Sequence, residues 1–184
     1  MPVRAEVVTD ANLTCVTDTS GPNAADAPAA PPNSRTDAPG TPERPAAGPP
    51  PAFPRTDDEW AAASRGTLIE RLGIRLTHVG ADRTAGTMPV DGNTQPAGLL
   101  HGGASVALAE TLGSVAAQQH AGAHRAAVGL EVNATHHRGV RSGTVHGEAT
   151  ALHLGRTTAA YEIVVTDDEG RRVCTARLTC MILA

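Results

Sequence analysis

From residue 102 to 119 the chain reads GGASVALAETLGSVAAQQ, with Ala, Val and Leu on almost every face and Glu110 as its only charge. A helix without a polar face is one that neighbours surround. The pattern therefore predicts a buried helix over 102–119, ending between Gln118 and Gly122. Before it, residues 57–68 suit a short helix, capped by Thr56 or Asp57, with Trp60 on its apolar side. Over 72–78, Leu72, Ile74 and Leu76 alternate with Arg75 and Thr77, which predicts a strand. A second strand is expected over 84–90, after the turn Gly80-Ala81-Asp82 and closed by Pro89 and Asp91-Gly92-Asn93. A loop over 94–100 leads into the long helix. Four further strands are expected over 127–134, 143–154, 157–166 and 172–183, the last two joined by the turn Asp167-Asp168-Glu169-Gly170. The order β-β-helix-β-β-β-β has no βαβ alternation, so it predicts an α+β fold with an antiparallel sheet against one long helix.

Composition divides the chain in two. Eleven of the fourteen prolines lie between Pro22 and Pro54. That stretch carries too little apolar surface to offset the entropy of ordering it. Residues 1–56 are expected to be a disordered Pro/Ala-rich extension, with an ordered piece near 7–16 as an option, and 57–184 to be the folded domain. The chain has a single Phe, Trp and Tyr, with Phe53 in the extension. The interior is therefore expected to consist of Val, Leu, Ile, Ala and Met. Such a modest core favours a homo-oligomer.

A net charge of −4, with no basic run, speaks against nucleic-acid binding. No apolar run has the length to span a bilayer, and the first residues lack the pattern of a secretory signal. Cys174 and Cys180 fall on one predicted strand, about 20 Å apart, too far to form a disulfide with each other. With Cys15 the count is odd, and a cytoplasmic location is expected.

Chemistry centres on the long helix. A carboxylate among small apolar residues is costly unless it is paired, protonated or exposed. Glu110 is thus a candidate catalytic group, with an exposed stripe or a structural ion pair as the alternatives. Ser114 lies one turn further on the same face. His101-Gly102-Gly103 opens the helix, and free N–H groups there favour a developing oxyanion; a tight turn is the alternative reading. Gly102 and Glu110 are eight residues apart, about 12 Å along the axis. One scissile carbonyl cannot easily meet both, so a site using both is expected to be shared with an antiparallel partner helix. Gln95, on the preceding loop, is placed to add a donor or hold a water. His136, Arg138 and His153 form a basic rim suited to nucleotide phosphates or simply to solvent. No metal site is expected: His136 and His137 are adjacent and face opposite ways on a strand. No G-x-S-x-G elbow occurs; Ser105 follows Gly103-Ala104 without the required strand-turn.

The run from Gln95 through Gly102 to Glu110, followed by Gly113-Ser114, closely resembles the hotdog-fold thioesterases of the PaaI-like group. Within it the likeness is greatest to 1,4-dihydroxy-2-naphthoyl-CoA hydrolases of menaquinone biosynthesis. The runs from Val128 to Ala134, Leu152-His153-Leu154-Gly155 and from Cys174 to Thr179 fit the same pattern. The resemblance covers about residues 59–184. It implies a hotdog fold, in which the sheet wraps the long central helix, and a homodimer, often paired into a homotetramer. It implies hydrolysis of an acyl-CoA substrate, with CoA as part of that substrate and no separate cofactor. Glu110 then acts as nucleophile or general base, Gly102 of the partner polarises the carbonyl, Gln95, His101 and Ser114 support them, and His136, Arg138 and His153 hold the CoA moiety. Three positions depart from the pattern. Ala97 stands where Phe is frequent, Thr135 where Asn is, and Arg156 where a small polar residue is. These departures bear on the acyl group more than on the reaction. An aromatic acyl group leads: dihydroxynaphthoyl, hydroxybenzoyl or phenylacetyl. A medium-chain or branched acyl-CoA or acyl-carrier-protein substrate, a dehydratase, and a non-catalytic acyl-CoA binder are the rivals.

Overall fold

The computed structural model describes residues 53–54 and 56–183; the expected extension, with its segment 7–16 and Cys15, lies almost wholly outside the described residues. Two short helices lead in, α1 (Asp57–Ala63) and α2 (Leu68–Arg71). Strands β1 (Arg75–His78) and β2 (Arg83–Pro89) precede the long helix α3 (Gly102–Ala121). Strands β3 (Ala126–His136), β4 (Thr144–Leu154), β5 (Thr158–Thr166) and β6 (Arg172–Leu183) follow. All six strands form one antiparallel sheet in the order β1-β2-β4-β5-β6-β3, with α3 packed across one face. This is the hotdog arrangement.

Two expectations near the start need correction. The helix expected over 57–68 is two pieces, because Gly66 adopts φ 73° and Thr67 starts a new helix. Thr56 caps α1 in a reciprocal box: its side chain accepts from the Glu59 N–H while Glu59 accepts from the Thr56 N–H. The strand expected from residue 72 begins at Arg75, since Leu72 closes α2 and Gly73, at φ 68°, turns the chain. The apolar set survives this change: Ile74 is buried, and Leu72 and Leu76 pack against the core.

The core lies between α3 and the inner face of β4, β5 and β6. Alternation with period two puts Ala159, Tyr161, Ile163 and Val165 of β5 inside, and Cys174, Ala176, Leu178, Cys180 and Ile182 of β6. Tyr161 is an exception to the expected aliphatic interior. It is fully buried, its hydroxyl donates to the Ala81 carbonyl at 3.0 Å, and burial pushes the phenol pKa up.

Small residues let the helix approach the sheet closely. Gly86 of β2 and Gly147 of β4 face each other in register. A Cβ on Gly147 would sit 2.6 Å from a Leu112 methyl, and one on Gly86 would sit 2.9 Å from the other. The paired glycines thus make a slot that Leu112 fills. On the next strand pair the relation is reversed: Leu178 of β6 fills the space that a side chain at Gly113 would need.

The two edge strands differ, β1 having four residues and β3 eleven. β3 is the terminal strand, eleven residues long, and Val128 and Leu130 on it are exposed, Leu130 to 53%. An uncovered edge of that length is a ready pairing surface.

Candidate active site

The loop before α3 is held by its backbone. Asn93 is buried and donates from its amide to the carbonyls of Leu72 and Pro89, while its own carbonyl accepts from the His101 N–H at 2.8 Å. Gln95 and Leu99 are tied by N–H to carbonyl at 2.8 Å, and Leu100 N–H donates to Val140 at 2.7 Å. With its backbone fixed in this way, the half-buried Gln95 side chain makes no hydrogen bond within the described residues and faces a cavity of about 410 Å³. Asn93 is a residue that sequence reading treated only as part of a turn.

His101 organises the helix start. Its Nδ1 accepts from the Gly103 N–H at 2.8 Å, and its carbonyl accepts from Ala104 at 3.0 Å and Ser105 at 3.3 Å. Of the first four N–H groups of α3, only that of Gly102 is left without a partner among the described residues. His101 therefore selects one donor out of four. When neutral, its ring carries the proton on Nε2, because Nδ1 is the acceptor.

The end of β3 closes over this point. A Cβ on Gly102 would lie 3.0 Å from Nε2 of His136, so any side chain at this position would press on the imidazole. His136, Arg138, Gln95, Gly102, Leu99 and Ser105 line the same cavity. His137 turns to the opposite face of the sheet, where its Nε2 is 2.9 Å from the Thr175 hydroxyl. His153 lies elsewhere. Through the strand registers it is level with Glu131, on a strand three places from β3. One chain alone does not bring it to His136 and Arg138.

Glu110 stands on the opposite kind of surface. It is exposed on the flank of α3 that faces the β3 edge, with half-buried Val106, Ala107, Thr111 and Ser114 around it. The exposed stripe left open at the sequence level is thus its setting in the single chain. Its Oε1 is 3.8 Å from the place a Cβ on Gly129 would take. No hydrogen bond or ion pair among the described residues holds the carboxylate. Behind it lies Cys180, whose thiol pKa is pushed up by burial and further by the Glu110 charge; a hydrogen bond with Ser114 partly offsets this. Cys174 and Cys180 are both free and buried on β6, and burial alone raises Cys174.

Two candidate groups thus stand apart on one helix: the free Gly102 N–H at its start and the Glu110 carboxylate in mid-helix, about 12 Å away along the axis. Among the described residues, no helix is long and apolar enough to cross a membrane.

Comparison with known proteins identifies the family. Residues 97–174 match the model of the thioesterase superfamily. The proofreading thioesterase EntH of Cronobacter turicensis is 52% identical over 123 residues, 66% of this chain and 90% of the relative. The crystal structure of thioesterase HI1161 from Haemophilus influenzae superposes with a TM-score of 0.68 at 38% identity, covering 72% of this chain and 93% of that one. A mutant of thioesterase PA1618 from Pseudomonas aeruginosa gives a TM-score of 0.65 at 41% identity, covering 70% and 94%. With its hotdog fold and this similarity, the chain belongs to the thioesterase superfamily and is a thioester hydrolase.

Proposed function

We propose that the protein hydrolyses an aromatic acyl-CoA thioester, in a site formed by Glu110 of one protomer and Gly102 of a second. The observation that carries this reading is the pairing of an unheld carboxylate with a single free helix-start N–H that cannot meet it within one chain. Two-fold pairing of the β3 edges would run two α3 helices antiparallel and bring each Glu110 toward the partner's helix start. It would also cover Val128 and Leu130. A homodimer is thus the smallest competent unit, and pairing of dimers gives a homotetramer.

The chemistry follows from the parts. The Gly102 N–H and the helix dipole stabilise charge on the thioester carbonyl oxygen as it becomes an oxyanion. Glu110 attacks the carbonyl carbon, the C–S bond breaks, and CoA leaves as its thiolate; water then cleaves the resulting anhydride. Alternatively Glu110 takes a proton from an attacking water. Label found in Glu110 after turnover in heavy-oxygen water would mark the anhydride route, with water attacking the Glu110 carbonyl. Gln95 positions the thioester or water, His101 keeps the Gly102 donor free, and Ser114 supports the Glu110 side. His136 and Arg138 bind the CoA moiety at the donor half, with His153 reaching it from the other protomer.

Ala97 leaves room where close relatives of naphthoyl-CoA hydrolases often carry Phe, so hydroxybenzoyl and phenylacetyl groups stand beside dihydroxynaphthoyl as candidates. A medium-chain or branched acyl-CoA or acyl-carrier-protein thioester is the second reading. The test is thiol release on naphthoyl-, benzoyl-, phenylacetyl- and medium-chain acyl-CoA and on acyl-carrier protein. Turnover of an aromatic CoA ester that disappears in Glu110→Ala supports the proposal. Tight binding of CoA esters with no cleavage of any would replace it with a non-catalytic binder.

A further inference from the structure

We infer that the Ser105 hydroxyl is a second hydrogen-bond donor to the thioester carbonyl, beside the Gly102 N–H. The inference rests on the function proposed above and extends its donor half.

Ser105 is 1% exposed and Gln118 is 4% exposed; they are the two buried polar side chains of α3. Their circumstances differ. Gln118 uses its whole amide, donating to the carbonyls of Gly122 and Arg125 and accepting from the Ala127 N–H. Ser105 makes no side-chain hydrogen bond among the described residues, and its oxygen is not one of the sealed, unpartnered polar atoms, of which Trp60 Nε1 is the one among those residues; it keeps a small opening toward the cavity that it lines.

The usual outlet for a helical hydroxyl is the carbonyl four residues back. Thr111 takes it, donating to Ala107 at 2.7 Å, and Ser64 does the same to Trp60 at 2.7 Å. For Ser105 that carbonyl belongs to His101, which already accepts from the N–H groups of Ala104 and Ser105. A carbonyl has two lone pairs, and both are taken. The device by which His101 leaves Gly102 free thus also leaves the Ser105 hydroxyl free.

Direction completes the argument. Side chains on a helix lean toward its N-terminus and cover the turn before them. Ser105 is three residues after Gly102, on the same face, and both line the cavity with Gln95 and His136. Gly102 offers an N–H and no side chain; Ser105 offers an O–H directly behind it. Two adjacent donors without an acceptor suit one oxygen with two lone pairs. A thioester carbonyl is such an oxygen, and its demand for donors rises as charge develops on it.

Ser105→Ala tests this, since Ala is the best helix former and removes no bond that holds the fold. The expected result is a loss of about 10- to 100-fold in kcat, with KM little changed and an unaltered melting temperature. A readout that packing alone would not move is the carbonyl stretch of benzoyl-CoA bound to Glu110→Gln. It should fall on binding and return part of the way when Ser105→Ala is added. A kcat within about twofold of the parent, together with an unchanged carbonyl band, would overturn the inference. Normal turnover by Glu110→Gln would instead overturn the underlying function, a result distinct from either outcome at Ser105.

Discussion

On one flank of α3, Leu112 is enclosed by the Gly86–Gly147 pair, and any added atom meets another at under 3 Å. On the other flank, Glu110 faces the free β3 edge, and a methyl placed at Gly129 would touch only at 3.8 Å. The two surfaces belong to one helix and are made of the same small residues. The first is finished within the chain and serves stability. The second is left open, with a carboxylate that nothing among the described residues holds. On the function proposed above, the contrast marks where a partner would complete the molecule: the enclosed helix positions tolerate no change in volume, while the open ones carry the chemistry.

Four experiments test the two flanks and their surroundings. The largest effect is expected on the open flank. Glu110→Gln should lower kcat by at least about a thousandfold, as loss of the group that attacks or activates water. Its thermal unfolding should stay near that of the parent, because no bond within the chain is lost. Near-normal thiol release would remove the functional half of the comparison.

On the closed flank the effect should be on stability. Leu112→Ala should cost about 2–5 kcal/mol by leaving a cavity, and Gly147→Ala about 1–3 kcal/mol by overpacking. In the double variant the new methyl enters the space that Leu112 vacates. The pair should therefore cost less than the sum, with a coupling of about 1 kcal/mol or more by urea unfolding. Strict additivity would mean that the slot does not exist in solution.

A smaller effect joins the two flanks through Cys180. Its thiol is held protonated by burial and by the Glu110 charge, against the Ser114 hydrogen bond. Removing that charge in Glu110→Gln should lower the thiol pKa; removing the hydrogen bond in Ser114→Ala should raise it. The pH dependence of alkylation in each variant checks both signs, and an identical profile in the three proteins would disconnect Cys180 from Glu110.

The smallest effect lies away from α3, at the β5–β6 turn. Asp168 accepts from the Thr144 N–H at 2.9 Å and pairs with His146, which holds its carboxyl below the usual carboxylate range. A depressed carboxyl contributes stability that is present above the unfolded pKa and lost as pH falls through the folded one. Asp168→Asn should therefore flatten the acid limb of stability slightly and leave neutral turnover unchanged. An acid limb as steep as the parent's would assign the loss to other carboxylates.

Much of this architecture is legible along the chain. Residues 102–119 announce a surrounded helix, and the observed α3 ends two residues later. The turn Asp167-Asp168-Glu169-Gly170 is equally plain, while the strands around it alternate only in part, which locates them but leaves their bounds soft. The N-terminal elements were less so: Gly66 splits an apparently continuous helix, and Leu72 keeps its inward face while belonging to a helix. Periodicity reports which side chains turn inward, and helix and strand share that information over so few residues.

The site divides in the same manner. Glu110, Gly102, His101 and Gln95 were marked by residue type and spacing, since a lone carboxylate and a glycine pair are unusual in such a helix. Ser105 was considered only as a nucleophile-elbow mimic, and Asn93 only as a turn residue. Nothing in their types distinguishes a free hydroxyl from a satisfied one, or a loop anchor from a solvated amide.

The sequence by itself determined the helix, the alternation of the strands, the position of the one carboxylate and its distance from the helix start. Those are properties of chemistry repeated at fixed spacing. Only the tertiary structure decided that Gly86 meets Gly147, that His136 covers Gly102, and that the His101 carbonyl is already occupied when Ser105 reaches for it. Each of these depends on which distant residue fills a lone pair or a gap, and that is settled when the chain closes on itself.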